Sequence, residues 1–256
     1  MTTVVSVHSF RGGTGKSNTT ANVAAILAAH GARVAVIDTD VQSPGIHTLF
    51  GFDQSVDHTL DDYLWGNIDI AGAVHDVTDR IGANGGGGQL LLVPASMQAS
   101  DIARILRDGY DVVKLNEGFR DLSEKFDLDY LFIDTHPGLN EETMLSITVS
   151  DVLLLLLRPD KQDFQGTAVT VDIARRLSVP NLLLVINKVP ESVDGEDLQA
   201  QMDVAYGAPT AAVLPLSTEV VINASGALFS LTHPDHPWSE GIRRIAERLQ
   251  DGSATG

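Results

Sequence analysis

The chain has 256 residues, 43% of them hydrophobic, with no cysteine and with 17 Lys+Arg against 34 Asp+Glu, a formal net charge of −17. That length holds one large α/β domain or two small ones. The lack of cysteine excludes disulfides, iron–sulfur clusters, zinc–thiolate sites and thiol nucleophiles, and the acidic balance opposes non-specific attraction to DNA or anionic lipid.

In chain order, Met1-Thr2-Thr3 has no basic flank and enters an apolar run, so no signal peptide is expected. The run Thr3–His8 reads as a strand and the alanine-rich stretch 19–29 as a helix. Between them lies Phe10-Arg11-Gly12-Gly13-Thr14-Gly15-Lys16-Ser17. Glycines let a backbone close on phosphate oxygens with its N–H groups turned inward, and the following helix adds a partial positive charge. In that setting Lys16 reaches the β- and γ-phosphates of a nucleotide and Ser17 ligates Mg²⁺.

A second strand, 33–37, runs into Asp38-Thr39-Asp40. The glycine-rich stretch 82–88 reads as a surface loop before a strand at 90–93, followed by helices at 102–107 and 112–126. A strand at 130–133 ends in Asp134-Thr135-His136-Pro137-Gly138. Val152–Leu157 is too short to span a bilayer and reads as a buried parallel strand. Helix 167–177, strand 181–186, helix 198–206 and strand 212–214 follow. The last helix, 239–250, carries Ile242, Ile245 and Leu249 at helical spacing behind Trp238, a stripe expected to pack on the body of the domain. Residues 252–256 read as a disordered tail.

Strands rich in Val, Leu and Ile that alternate with helices predict a single doubly wound, mostly parallel sheet with helices on both faces, over residues 1–251. Ligands of such sheets bind at the carboxyl ends of the strands, so Asp38, Asp40 and Asp134 are expected to converge on the glycine loop. Carboxylates beside a triphosphate need a hard cation between them, which Mg²⁺ supplies.

Together these segments resemble the MinD/ParA family of deviant Walker A ATPases, P-loop proteins whose signature lysine is here Arg11. The resemblance implies an Mg-ATP-dependent cytoplasmic ATPase that forms a nucleotide-driven homodimer, hydrolyses slowly until a partner stimulates it, and positions or partitions a cargo. It implies that Gly12, Gly13, Thr14, Gly15 and Lys16 hold the phosphates. Ser17 binds Mg²⁺ directly, and Asp38 and Asp134 reach the ion through waters. Asp40 orients the attacking water, and Pro137 and Gly138 begin the second switch. Asn187 reads adenine and Pro215 packs on the base. Asn18 replaces a hydroxyl residue and can donate to an α-phosphate oxygen. Arg11, like the signature lysine, is expected to cross the dimer interface, as an arginine finger does. An activating or adaptor protein is the implied partner, and a membrane is not expected. Relatives bind DNA through basic residues in the region of Arg175, Arg176, Arg243, Arg244 and Arg248, a property the net charge does not favour. A nucleotide-binding regulator or scaffold with little hydrolysis is the alternative.

Overall fold

The structure is a computed structural model that describes residues 1–52, 56–82, 87–223 and 226–253. The elements run β1 (Thr3–His8), α1 (Lys16–Ala29), β2 (Arg33–Asp38), α2 (Ile46–Leu49), α3 (Leu60–Leu64), β3 (His75–Asp76), β4 (Gln89–Val93), α4 (Ala99–Asp108) and α5 (Val112–Lys125). They continue with β5 (Tyr130–Asp134), α6 (Glu141–Thr148), β6 (Val152–Leu157), α7 (Lys161–Arg176), β7 (Asn181–Val189), α8 (Gly195–Tyr206), β8 (Thr210–Pro215), α9 (Thr218–Asn223), α10 (Phe229–Thr232) and α11 (Pro237–Ser253). The strands form one eight-stranded sheet in the order β3-β4-β2-β5-β1-β6-β7-β8, parallel except for β3 against β4.

Both faces of the sheet are covered. On one side Val5, Val7, Val34, Val36 and Leu154 pack with α1 and with Trp238, Ile242, Ile245 and Leu249 of α11. On the other, Ala35, Ile37, Leu131 and Ile133 pack with Leu115, Phe119 and Leu122 of α5, and Leu155, Leu184 and Ile186 pack with α7 and α8. Alternate side chains of each strand thus enter opposite cores, which is why these strands are apolar throughout. Nearly every side chain of α1 from Thr19 to Ala28 is buried, so its helical run is apolar or small on all sides. The apolar stripe of α11 lies on the domain body, as expected.

Several expected bounds shift. α7 begins at Lys161 rather than 167, because Asp160 caps it by accepting hydrogen bonds from Gln162 N and Asp163 N. β7 continues past 186 through Asn187 to Val189, pairing with β8 through a shifted register. α11 begins at Pro237 and includes Gly252 and Ser253, so the expected tail starts later; residues 254–256 lie outside the described residues. Most of the expected 82–88 loop also lies outside them.

The chain places β5 and β6 on either side of β1, so connections leave in opposite directions there. That is the switch point at which open α/β sheets bind ligands.

Candidate functional site

The loop between β1 and α1 has Gly13 at φ 75° and Gly15 at φ 98°, a left-handed backbone that glycine adopts freely. At Gly15 a Cβ would also lie 2.4 Å from Asn187 Nδ2. Gly15 is the N-cap of α1, no side chain caps the helix, and its first turn carries no acidic residue. The leading N–H groups are therefore left to an anion. Lys16 is buried at the first position of α1.

Asp134 and Asp38 are registered opposite one another on β5 and β2, and Asp134 opposite Val7 on β1. Ser17 Oγ donates to Asp134 Oδ2 at 2.6 Å, and Thr20 Oγ1 donates to Asp134 Oδ1 at 3.0 Å. Asp38 accepts from Asp40 N at 3.0 Å and from Gly45 N at 3.3 Å. Burial raises the Asp38 carboxyl well above the usual range, with further pushes from Asp134 and Asp40. Burial likewise raises Asp134 to about 6, although Lys16 opposes the shift. Two buried carboxyls that resist ionisation beside a serine hydroxyl are an oxygen donor set short of positive charge, which suits Mg²⁺. Among the described residues no three His, Asp or Glu side chains form a metal cage of their own. Such an ion therefore needs phosphate oxygens and water to complete its shell, the usual manner of Mg²⁺ at nucleotides.

Asp40 stands at the edge of this group, with Ser43 N and Ser43 Oγ donating to its Oδ1 at 3.2 and 2.9 Å. Pro137 and Gly138 abut the start of the loop. Gly138 N donates to Ser9 O at 3.1 Å, and a Cβ on Gly12 would lie 3.8 Å from Pro137 Cγ.

Asn187 also comes to the loop, but its amide is engaged there. Nδ2 donates to Thr14 O at 2.8 Å, and Oδ1 accepts from Lys188 N at 2.8 Å. Lys188, at φ 59°, sends its Nζ to Gly13 O at 2.8 Å. The end of β7 thus grips two consecutive loop carbonyls. Pro215 ends β8, one strand further out, and pairs with Val189. The Asn18 carbonyl accepts from Asn22 Nδ2 at 2.8 Å.

The Arg11 side chain is turned away from the loop toward the start of α7, 3.5 Å from Asp160 and 3.4 Å from Asp163. Phe10 packs beside Gly166, where a Cβ would collide with its ring. Of the basic residues singled out for DNA, Arg175 donates to the carbonyls of Tyr206 and Gly207, Arg176 pairs with Asp172, and Arg244 pairs with Glu240.

Sequence reasoning did not single out Lys188, Thr20, Asp160, Asp163 or His8. His8 Nδ1 lies 2.8 Å from Thr135 Oγ1, which itself donates to Val7 O at 2.9 Å, so Nδ1 carries the proton. His8 Nε2 is buried without a protein partner. Burial, then the Lys16 charge, lowers this imidazole to about 3, keeping it neutral.

The family described as AAA domain matches residues 2–180. An uncharacterized ATP-binding protein of Methanocaldococcus jannaschii is 26% identical over 97% of this chain and 88% of its own length. The cell division ATPase MinD of Pyrococcus furiosus superposes with a TM-score of 0.81 at 21% identity, covering 98% of this chain and 99% of that one. The septum site-determining protein MinD of Pyrococcus horikoshii, complexed with Mg-ADP, superposes with a TM-score of 0.78 at 23% identity, covering 97% and 96%. Among the described residues no helix is long and apolar enough to cross a membrane.

Proposed function

The chain belongs to the MinD/ParA family of P-loop ATPases, and from that premise we propose that it is a cytoplasmic Mg-ATP-dependent switch that dimerises around its nucleotide, hydrolyses it slowly until a partner stimulates it, and so positions or partitions a cargo. The observation that carries this reading is the uncapped start of α1 behind two left-handed glycines, with buried Lys16 and the Ser17–Asp134–Asp38 group beside it. The Mg-ADP bound by the Pyrococcus horikoshii relative supports the choice of ligand.

In this reading the loop N–H groups and Lys16 bind the β- and γ-phosphates. Ser17 would hold Mg²⁺ directly, with Asp38 and Asp134 behind it, and the ion supplies charge neutralisation at the phosphate oxygens. Asp40 orients water, and Pro137-Gly138 follow the state of the γ-phosphate. Phosphoryl transfer asks mainly for positioning and charge stabilisation, which these groups are placed to give. Arg11 leaves Asp160 and Asp163 for the phosphates of a second copy. The alternative, a nucleotide-binding regulator with little hydrolysis, draws on the same contact, since an arginine held within its own chain is not available to a partner.

ATP turnover and light scattering separate these readings. Lys16→Ala is expected to lose nucleotide binding, Asp40→Ala to hold ATP as a lasting dimer, and Arg11→Ala to bind ATP without dimerising. Turnover that survives Lys16→Ala and Asp40→Ala would overturn the catalytic assignment.

A further inference from the structure

The segments that follow β2 and β5 each carry a polar side chain, Asp40 and His136, and those side chains face each other. His136 Nε2 lies 3.9 Å from Asp40 Oδ1, with both side chains partly exposed to solvent. On its other side, His136 Nδ1 is 2.7 Å from Pro137 O. A carbonyl oxygen can only accept, so Nδ1 carries the proton, and in the neutral ring Nε2 presents a lone pair toward Asp40. The separation is too long for a direct hydrogen bond. It suits one bridging water, because a water donating to two acceptors at about 2.8 Å each spans roughly 4 Å. The neighbouring Pro137-Gly138 backbone is tied to Ser9 at the start of the loop, which puts this gap beside the phosphate site.

We propose that His136 is a catalytic residue whose Nε2, together with Asp40 Oδ1, accepts the two hydrogens of the water that attacks the γ-phosphate. The inference rests on the ATPase reading above and adds a second acceptor to it. With both hydrogens held, the water's remaining lone pair is directed at phosphorus. The water oxygen forms a bond to the γ-phosphorus, and the bond from that phosphorus to the β–γ bridging oxygen breaks, its electron pair leaving with ADP. One water proton passes to a phosphoryl oxygen and the other stays on the entering oxygen, so the product is dihydrogen phosphate. His136 and Asp40 end as they began. Two acceptors fix the water in a plane where a single carboxylate would leave it free to rotate.

The test uses the full chain with excess protein over Mg-ATP, in single turnover, with ATP affinity measured separately by a fluorescent analogue. His136→Phe is expected to slow cleavage by about tenfold or more while leaving ATP affinity within about twofold. His136→Gln, which keeps an acceptor, is expected to recover part of the loss. Because both acceptors serve one water, His136→Phe in an Asp40→Ala background, which has no acceptor at that position, is expected to slow cleavage by less than about twofold further. Wild-type hydrolysis with His136→Phe cleaving at the wild-type rate overturns the inference and leaves the ATPase reading standing. Full additivity of the two substitutions also overturns it, as does His136→Gln no faster than His136→Phe. A wild type that binds ATP but never cleaves it overturns both.

Discussion

Replacing His8 with Gln tests the electrostatics of the site's floor with a known sign. His8 is fully buried, and its imidazole is lowered from 6.5 to about 3, first by burial and then by Lys16. A base lowered in this way stays neutral in the fold and takes up a proton on unfolding. The unfolded state therefore binds more protons below pH 6.5, and stability falls as pH drops through the window from 6.5 to about 3. At about 1.36 kcal/mol per pH unit, a step from neutral pH to about pH 5 removes on the order of 2 kcal/mol. Asp61 and Asp134 work in the opposite sense. Burial raises each to about 6, so their ionised forms weigh on the fold above that value and protonation relieves them below it. Wild-type stability mixes the two signs, and the difference between wild type and His8→Gln isolates the histidine. Urea unfolding of nucleotide-free protein at about pH 7.5 and about pH 5 is expected to show the wild type losing on the order of 2 kcal/mol more than the variant. Equal losses in the two proteins would refute the reasoning.

Gly15→Ala forces a side chain onto a backbone at φ 98° and against Asn187 Nδ2. The backbone term alone costs about 1–2 kcal/mol, so ATP binding followed by fluorescence titration should weaken by about tenfold or more, and unchanged affinity would contradict the loop geometry. Lys188→Met removes the hydrogen bond to Gly13 O at a position that is not buried. A net hydrogen bond of about 1 kcal/mol predicts roughly fivefold weaker ATP binding with Tm nearly unchanged, whereas a marked fall in Tm would make the contact structural. Leaving Mg²⁺ out of the buffer should cost more ATP affinity at about pH 8 than at about pH 5, because burial pushes Asp134 up to about 6 and its protonated form no longer attracts the ion. A Mg²⁺ dependence that is the same at both values would separate Asp134 from the metal.

The parts of the site legible in the sequence are those whose geometry is local. Strand, glycine turn, lysine and helix lie within one short segment, and Asp38 and Asp134 each end an apolar strand, so parallel pairing alone sets them side by side. The two-residue β3 leaves no such trace, since it exists only through its antiparallel pairing to β4. Short helices such as α2 and α3 bury few side chains each and show no helical period long enough to read. Asn187 was legible only through the resemblance, as a residue that reads adenine. Its hydrogen bond to Thr14 O joins residues 173 positions apart, and no local pattern carries that. His8 reads as a polar residue in an apolar strand, and only its bond to Thr135 gives it a place beside the segment that follows β5.

Arg11 decides how the two ends of the proposed cycle are balanced. Its contacts to Asp160 and Asp163 are long, at 3.5 and 3.4 Å, and its side chain is 38% exposed. Asp163 is held more closely by Arg158, through Nε at 2.9 Å and the backbone N–H at 3.1 Å. When Arg11 leaves, Asp163 therefore keeps its shorter partners and Asp160 keeps its capping bonds to α7. The exposed contact to Asp160 is worth up to about 1 kcal/mol, and the contact to buried Asp163 is long and shared with Arg158. A charge-assisted bond to a phosphate oxygen is worth about 1.5–3 kcal/mol, so exchange favours the phosphates once they are within reach. Phe10 is pinned against Gly166, so the guanidinium can move while the loop's first residues stay on α7. In the proposed dimer the arm is thus satisfied within its own chain until a second copy presents a triphosphate. That makes the arginine compatible with the proposed nucleotide-driven dimer.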